Sequence, residues 1–145
     1  MRQLAVGFLL MAVAVAIHLV GGLGAIWHLR RRAAGLARPS ILQAMSLLVE
    51  LFAALLLLHL MQVSLWALLY WWQIGWDPNT ALYFSTVTYA TIGYGDVVPP
   101  PEWRLVAVTE GLTGVLMLGW SSAIVFAVVV RLFELTARAG GGQVR

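Results

Sequence analysis

Cysteine is absent from the 145 residues, which excludes disulfides and thiolate metal sites and leaves the redox compartment unread. Lysine is absent too, and all nine basic residues are arginines. Charge of either sign is scarce, at 10% of the chain against roughly 25% in an ordinary soluble domain. A surface so poor in charge does not suit water. With 61% hydrophobic residues and a mean hydropathy of +0.88, the chain takes the lipid bilayer as its solvent. Catalytic patterns are missing as well. No nucleophile with its base and no phosphate loop stands out, and His18, His28 and His59 lack metal-ligand spacing, so neither an enzyme nor a cofactor is expected.

What is present is apolar length. A membrane-crossing helix needs about 20 apolar residues at 1.5 Å rise each. Stretches 4–29, 47–72 and 103–133 meet that requirement. They leave only a basic connector, a middle segment and a tail, none long enough to fold as a separate domain. The expected division is 1–30 as a first transmembrane helix, 31–46 as a cytoplasmic connector and interfacial segment, 47–72 as a second span, 73–102 as a re-entrant segment, 103–133 as a third span and 134–145 as a tail. The first span has a signal-peptide-like start, with Arg2 ahead of an apolar run and small residues from 12 to 16. Its length and its terminal arginine cluster fit a retained anchor better.

The net charge of +3 does not point to nucleic acid, because the arginines mark the ends of the spans. Arg30, Arg31, Arg32 and Arg38 follow the first, and Arg131, Arg138 and Arg145 close the last. By the positive-inside rule both clusters are cytoplasmic, which puts the N-terminus outside, the C-terminus inside and segment 73–102 on the outer face. A multi-pass protein of the cell membrane is expected, with lipid around it and no soluble substrate. The lysine-free, alanine- and leucine-rich composition points to a bacterial inner membrane.

The apolar region from Ile41 to Trp72 would be about 48 Å long as one helix, well beyond a hydrocarbon core of about 30 Å. A tilt or bend is expected, with Pro39 and Ser40 at the start, Glu50 near the inner headgroups, and Trp66, Tyr70, Trp71 and Trp72 as an outer aromatic belt. After Gly75, Asp77 can cap free amides and Pro78 fits a first helical turn. The helix this predicts, to Ala90, is about 18 Å long and too short to cross. It must be re-entrant or interfacial. Irregular backbone at that depth is tolerated only where it is buried in protein or lines water.

That irregular stretch reads Thr91-Ile92-Gly93-Tyr94-Gly95-Asp96. Gly93 and Gly95 admit positive φ without a Cβ penalty, so that the carbonyls of Thr91, Ile92, Gly93 and Tyr94 can face one way. A strip of carbonyls replaces the water of a dehydrated cation. One chain supplies one strip, and a cage needs several, so closed rotational symmetry follows. Here the chain resembles the potassium channels, whose signature is TVGYGD where this sequence has TIGYGD. The likeness covers residues 72 to about 133 and includes Ala81 to Ser85 and Thr88 of a pore helix. It implies K+ ions as permeant ligand at Thr91, Ile92, Gly93 and Tyr94, with Gly95 in the filter, and a homotetramer. It further implies filter support from Tyr83, Thr88 and Asp96. Tyr83 keeps a hydroxyl toward Asp96, whereas Phe84 offers no donor to Tyr94 where many channels carry tryptophan.

Ionisable groups inside a span cost a few kcal/mol, so each needs a partner or a purpose. Counted along their helices, His18, His59, Gln62 and Glu110 fall at comparable depths, and they are expected to form one polar cluster behind the filter. Both a role in conduction and plain helix-packing hydrogen bonds fit it. Gly114 and then Gly119 are the candidate hinge positions of the last span, and close helix packing explains them equally well. Trp120, Ser121 and Ser122 sit near its midpoint, where at least one should edge an inner cavity. Glu50 and Glu134 have Arg131 and the 30–32 cluster within reach. The expectation as a whole is an all-α membrane protein with three transmembrane helices, a re-entrant pore helix and a selectivity-filter loop per subunit, four subunits forming a K+ channel. A weakly selective cation channel and a non-conducting regulatory subunit are the alternatives.

Overall fold

A computed structural model describes residues 2–36 and 40–140, with side chains as far as residue 134. Arg38, Pro39 and Arg145 lie outside the described residues, as does the side chain of Arg138. The chain is all-α among those residues: α1 (Arg2–Ala34), α2 (Ile41–Ile74), the short α3 (Pro78–Tyr89), a single 3₁₀ turn (Pro101–Trp103) and α4 (Arg104–Gly140). Three helices are long and apolar enough to cross a membrane, and α3 is the fourth, short one.

Each helix end has a local cause. Ser40 begins α2 through a capping box in which its hydroxyl accepts from the Gln43 amide and the Gln43 side chain accepts from the Ser40 amide. Gly75 ends α2 at φ 79°, a left-handed conformation that glycine adopts without a Cβ clash. Asp77 opens α3 by accepting from the Asn79 and Thr80 amides, with Pro78 next. The helices overrun the apolar stretches. Helix α1 continues through Arg30, Arg31 and Arg32 to Ala34, because arginine is a good helix former. Helix α2 is unbroken from Ile41 to Ile74, with no boundary at residue 46, and its length of about 51 Å calls for tilt or protrusion rather than a break. Helix α4 extends past Phe133 to Gly140.

Helix α1 packs against both α2 and α4, and α3 sits in the angle between α2 and α4. The buried face of α1 is Gly7, Ala14, His18, Gly22 and Leu29, mostly small residues at helical spacing that let the backbones approach. On α2 the buried stripe includes Leu51, Leu55, Leu58, Gln62, Trp66 and Tyr70. Two of the residues expected in an outer aromatic belt therefore point inward. Trp66 and Tyr70 are fully buried, and only Trp71 and Trp72 face outward, because positions four apart share a helix face. Tyr70, Trp76 and Phe84 form an aromatic trio, with Phe84 edge-on to Tyr70 at 5.0 Å and to Trp76 at 5.1 Å. Near the connector, Glu50 pairs with Arg32 at 2.7 Å and joins α1 to α2. At the same end of the bundle, where Leu132 packs with Leu29 and Leu47, Arg131 pairs with Glu134 at 3.0 Å.

Candidate functional site

Helix α3 delivers the TIGYGD stretch. Its last turn hands its hydrogen bonds to the next residues: the amide of Ala90 bonds Thr86 O, that of Thr91 bonds Thr88 O, and those of Ile92 and Gly93 both bond Val87 O. Beyond that point the backbone alternates. Thr91, Gly93 and Gly95 take positive φ values of 60°, 61° and 79°, every second residue. Two of the three are glycines, for which that conformation is free. Thr91 is not, and a non-glycine residue held there costs about 1–3 kcal/mol, which surrounding contacts must offset. Residues 90 to 96 are all exposed in the single chain, Tyr94 at 70% and Ile92 at 52%.

Asp96 is tied back to α3. Tyr83 OH donates to Asp96 Oδ2 at 2.6 Å, and the other carboxylate oxygen accepts from the Val97 amide at 3.0 Å. The Tyr83 hydroxyl holds the Asp96 carboxyl below the usual carboxylate range, and Asp96 in turn pushes the Tyr83 phenol up. Phe84 packs its ring into the aromatic trio. Thr88 is half-buried. With Tyr83, Val87, Gly93 and Arg104 it lines a cavity of about 320 Å³ beside the strip.

The expected polar cluster divides into two. His18, His59 and Gln62 come together with Tyr89 and Ser121 in a closed circuit. Its contacts are Gln62 Nε2 to His18 Nδ1 at 2.9 Å, His18 Nε2 to Ser121 Oγ at 3.1 Å, Ser121 Oγ to His59 Nε2 at 3.0 Å, His59 Nδ1 to Tyr89 OH at 3.0 Å, and Tyr89 OH to Gln62 Oε1 at 2.6 Å. Glu110 makes none of these bonds. It accepts from Tyr70 OH at 2.6 Å and lies 2.5 Å from Ser85 Oγ, which is itself 2.8 Å from Val63 O. Depth alone grouped Glu110 with the histidines. Its position on α4 relative to Ser121, eleven residues and three turns away, separates them along the helix axis.

Tyr89, Ser121, Tyr70 and Ser85 escaped the sequence reading as members of either cluster. A signal for Tyr70 existed. His59 and Gln62 stand three apart on α2, Tyr70 is eight beyond Gln62, and all lie near one helix stripe. Ser121 is buried, whereas its neighbours Trp120 and Ser122 are exposed. Gly114 packs directly under the Tyr89 carbonyl, and Gly119 faces open space. Among the described residues no group of three metal-ligating side chains gathers.

Three helices able to cross a membrane accompany one short helix and an exposed strip whose backbone alternates, an arrangement compatible with the passage of ions. No curated protein and no solved structure gives a match to the chain. A family model described as "ion channel" matches residues 45–131, from the first turns of α2 to near the end of α4, so that α1 stands outside it. The chain is a multi-pass membrane protein of that ion channel family.

Proposed function

We propose that the chain is one subunit of a homotetrameric, potassium-selective channel in which residues 91–95 form the selectivity filter. The carrying observation is the exposed strip with positive φ at alternate residues, Thr91, Gly93 and Gly95, placed at the carboxyl end of a helix too short to cross. An ordered strip of this kind, uncovered in the single chain, is accounted for by neighbours that present identical strips around one axis. The carbonyls of Thr91, Ile92, Gly93 and Tyr94 then replace the hydration shell of K+. The negative end of the α3 dipole favours the cation there. Tyr83 and Asp96 brace the outer end of the strip, and Thr88 its inner side.

In the proposed orientation the N-terminus lies outside and the C-terminus in the cytoplasm of a bacterial cell, following the arginine clusters. Permeation is passive and needs no cofactor. The test is K+ against Na+ flux through the purified chain in liposomes, with Gly95→Ala as the control. The expected result is K+ flux at least roughly a hundredfold above Na+, abolished or made unselective by Gly95→Ala, from particles whose mass is that of four chains. Equal flux of the two ions overturns selectivity, and no flux from the assembled chain alone overturns the pore.

A further inference from the structure

The ring of His18, Gln62, Tyr89, His59 and Ser121 draws one member each from α1, α3 and α4 and two from α2. Its proton count closes. The Gln62 amide nitrogen only donates, so His18 accepts at Nδ1 and carries its single proton on Nε2. That proton goes to Ser121, whose hydroxyl donates to His59 Nε2. His59 donates from Nδ1 to Tyr89, and Tyr89 donates to Gln62 Oε1. Each side chain gives once and accepts once. Turning the Gln62 amide over reverses the sense of all five bonds and leaves the circuit closed. In either sense each imidazole holds one proton.

A closed circuit behaves differently from five separate bonds. Opening it anywhere leaves two polar groups without partners, and His18, Gln62, Tyr89 and Ser121 are all buried. The other ionisable or charged-capable groups nearby belong elsewhere: Glu110 of α4 is bonded to Tyr70 of α2 and to Ser85 of α3. From α1, His18 is the ring's one contributor. Tyr89 is the last residue of α3, and the next amides are those of Ala90 to Gly93, each bonded back onto the last turn. Moving Tyr89 therefore moves the acceptors that hold the start of the strip.

We propose that His18 is a positioning residue for the carbonyl strip: through the ring, the first helix fixes Tyr89 and thereby the direction in which residues 91–94 leave α3. Helix α1 lies outside residues 45–131, so this assigns a role in the pore to a part of the chain that the family match does not cover. The inference rests on the proposed filter, but its test does not depend on selectivity alone.

The full chain in liposomes is compared as wild type, His18→Leu, Ser121→Ala and the double variant. Glu50→Gln, which breaks the α1–α2 pair with Arg32 far from the strip, is the control. Two quantities are read, the K+/Na+ flux ratio and the amide hydrogen exchange of residues 90–93. The expected result is a flux ratio reduced roughly tenfold and exchange at residues 91–93 accelerated roughly tenfold in each single variant. The double variant is no worse than either single one, because the ring opens once. Glu50→Gln leaves both readings at the wild-type level. Should His18→Leu fail to assemble, Ser121→Ala opens the same ring and decides the matter. Unchanged exchange in the assembled variants overturns the proposal, as does an equal effect from Glu50→Gln. If the wild type itself fails to prefer K+, the filter reading falls and the exchange arm still decides whether His18 positions the strip.

Discussion

Gly114 of α4 passes so close beneath Tyr89 that a Cβ built on it would overlap the Tyr89 carbonyl oxygen and carbon. The glycine is thus explained by close approach of two backbones, whatever else it does. Gly114→Ala must push α4 away from the end of α3. Overpacking of this kind costs about 1–3 kcal/mol, and here the neighbour that would have to yield is backbone rather than a flexible side chain. The expected outcome is a lower unfolding temperature of the assembled protein together with disturbed ion flux. Gly119→Ala, whose Cβ would meet nothing within 4 Å beyond the backbone of its own helix turns and its chain neighbours, should leave thermal stability unaltered. Melting curves of the two variants separate packing from bending. Equal stability with selectively altered opening for Gly114→Ala would favour a hinge instead.

Glu110 supports a second expectation, from counting protons. Ser85 has one hydroxyl proton and two oxygens within bonding distance, Val63 O at 2.8 Å and Glu110 Oε1 at 2.5 Å. If Ser85 donates to the carbonyl, the bond to Glu110 needs a proton from the carboxyl, while Tyr70 donates to the other oxygen. The protonated acid satisfies every partner. Glutamine reproduces that pattern, giving its N–H to Ser85 and accepting from Tyr70. Glu110→Gln should therefore keep stability within about 0.5 kcal/mol of the wild type, whereas Glu110→Leu leaves the Tyr70 hydroxyl unpartnered in the core and costs about 1–3 kcal/mol. Denaturation of both variants in detergent checks this. A large loss in Glu110→Gln alone would mean that a negative charge is required.

Much of this arrangement is legible in the sequence. Apolar length specifies three crossing helices, and the Asp77-Pro78 start and the Gly93, Gly95 pair are read directly from the chemistry of capping and of positive φ. The split of the polar cluster is not legible. Depth along a helix follows from residue counting, but which stripe of α4 meets which stripe of α1 depends on helix rotation, and that is decided by packing of residues such as Gly7 against Thr109. The inward turn of Trp66 and Tyr70 has the same origin. A helix apolar on all sides, as α2 is, carries no periodic signal to say which face is buried. The Tyr83–Asp96 bond itself is expected from the potassium-channel resemblance, not from any local pattern in the chain.

The Tyr83–Asp96 bond makes a pH expectation at the exposed end of the strip. The Asp96 carboxyl is held below its usual range, chiefly by the Tyr83 hydroxyl, so the stabilisation is complete above the ordinary carboxylate pKa of about 3.9 and is lost as pH falls through the lower folded value. The Tyr83 phenol is raised, chiefly by Asp96, so its share is complete below the ordinary tyrosine value of about 10 and is lost as pH rises through the higher folded one. Between these limits the bond should be indifferent to pH. Flux measured at neutral pH and at pH values near 3, applied to the face that carries Asp96, should show a reversible acid effect in the wild type. Tyr83→Phe removes the hydroxyl and should show a wild-type acid effect shifted to higher pH, because nothing then holds the carboxyl down. An identical acid midpoint in both would place the titrating group elsewhere.

The Arg32–Glu50 pair gives the opposite kind of expectation, a near-absence of effect. Arg32 is 53% exposed and Glu50 31%, at 2.7 Å, with His28 Nε2 3.6 Å from the second carboxylate oxygen. Exposed pairs contribute about 0–1 kcal/mol, because water screens the attraction and two long side chains lose freedom. Arg32→Gln should change stability by less than about 1 kcal/mol, with the difference shrinking further as salt is raised. By contrast, opening the buried ring at Ser121 leaves His18 and His59 without their shared partner and should cost about 1–3 kcal/mol, little affected by salt. Both contacts tie α1 to the rest of the chain, so unfolding of the two variants at low and high salt shows which one holds it. A larger, salt-sensitive loss in Arg32→Gln than in Ser121→Ala would mean that α1 is anchored by its charged end, and the buried ring would then be a consequence of that docking rather than its cause.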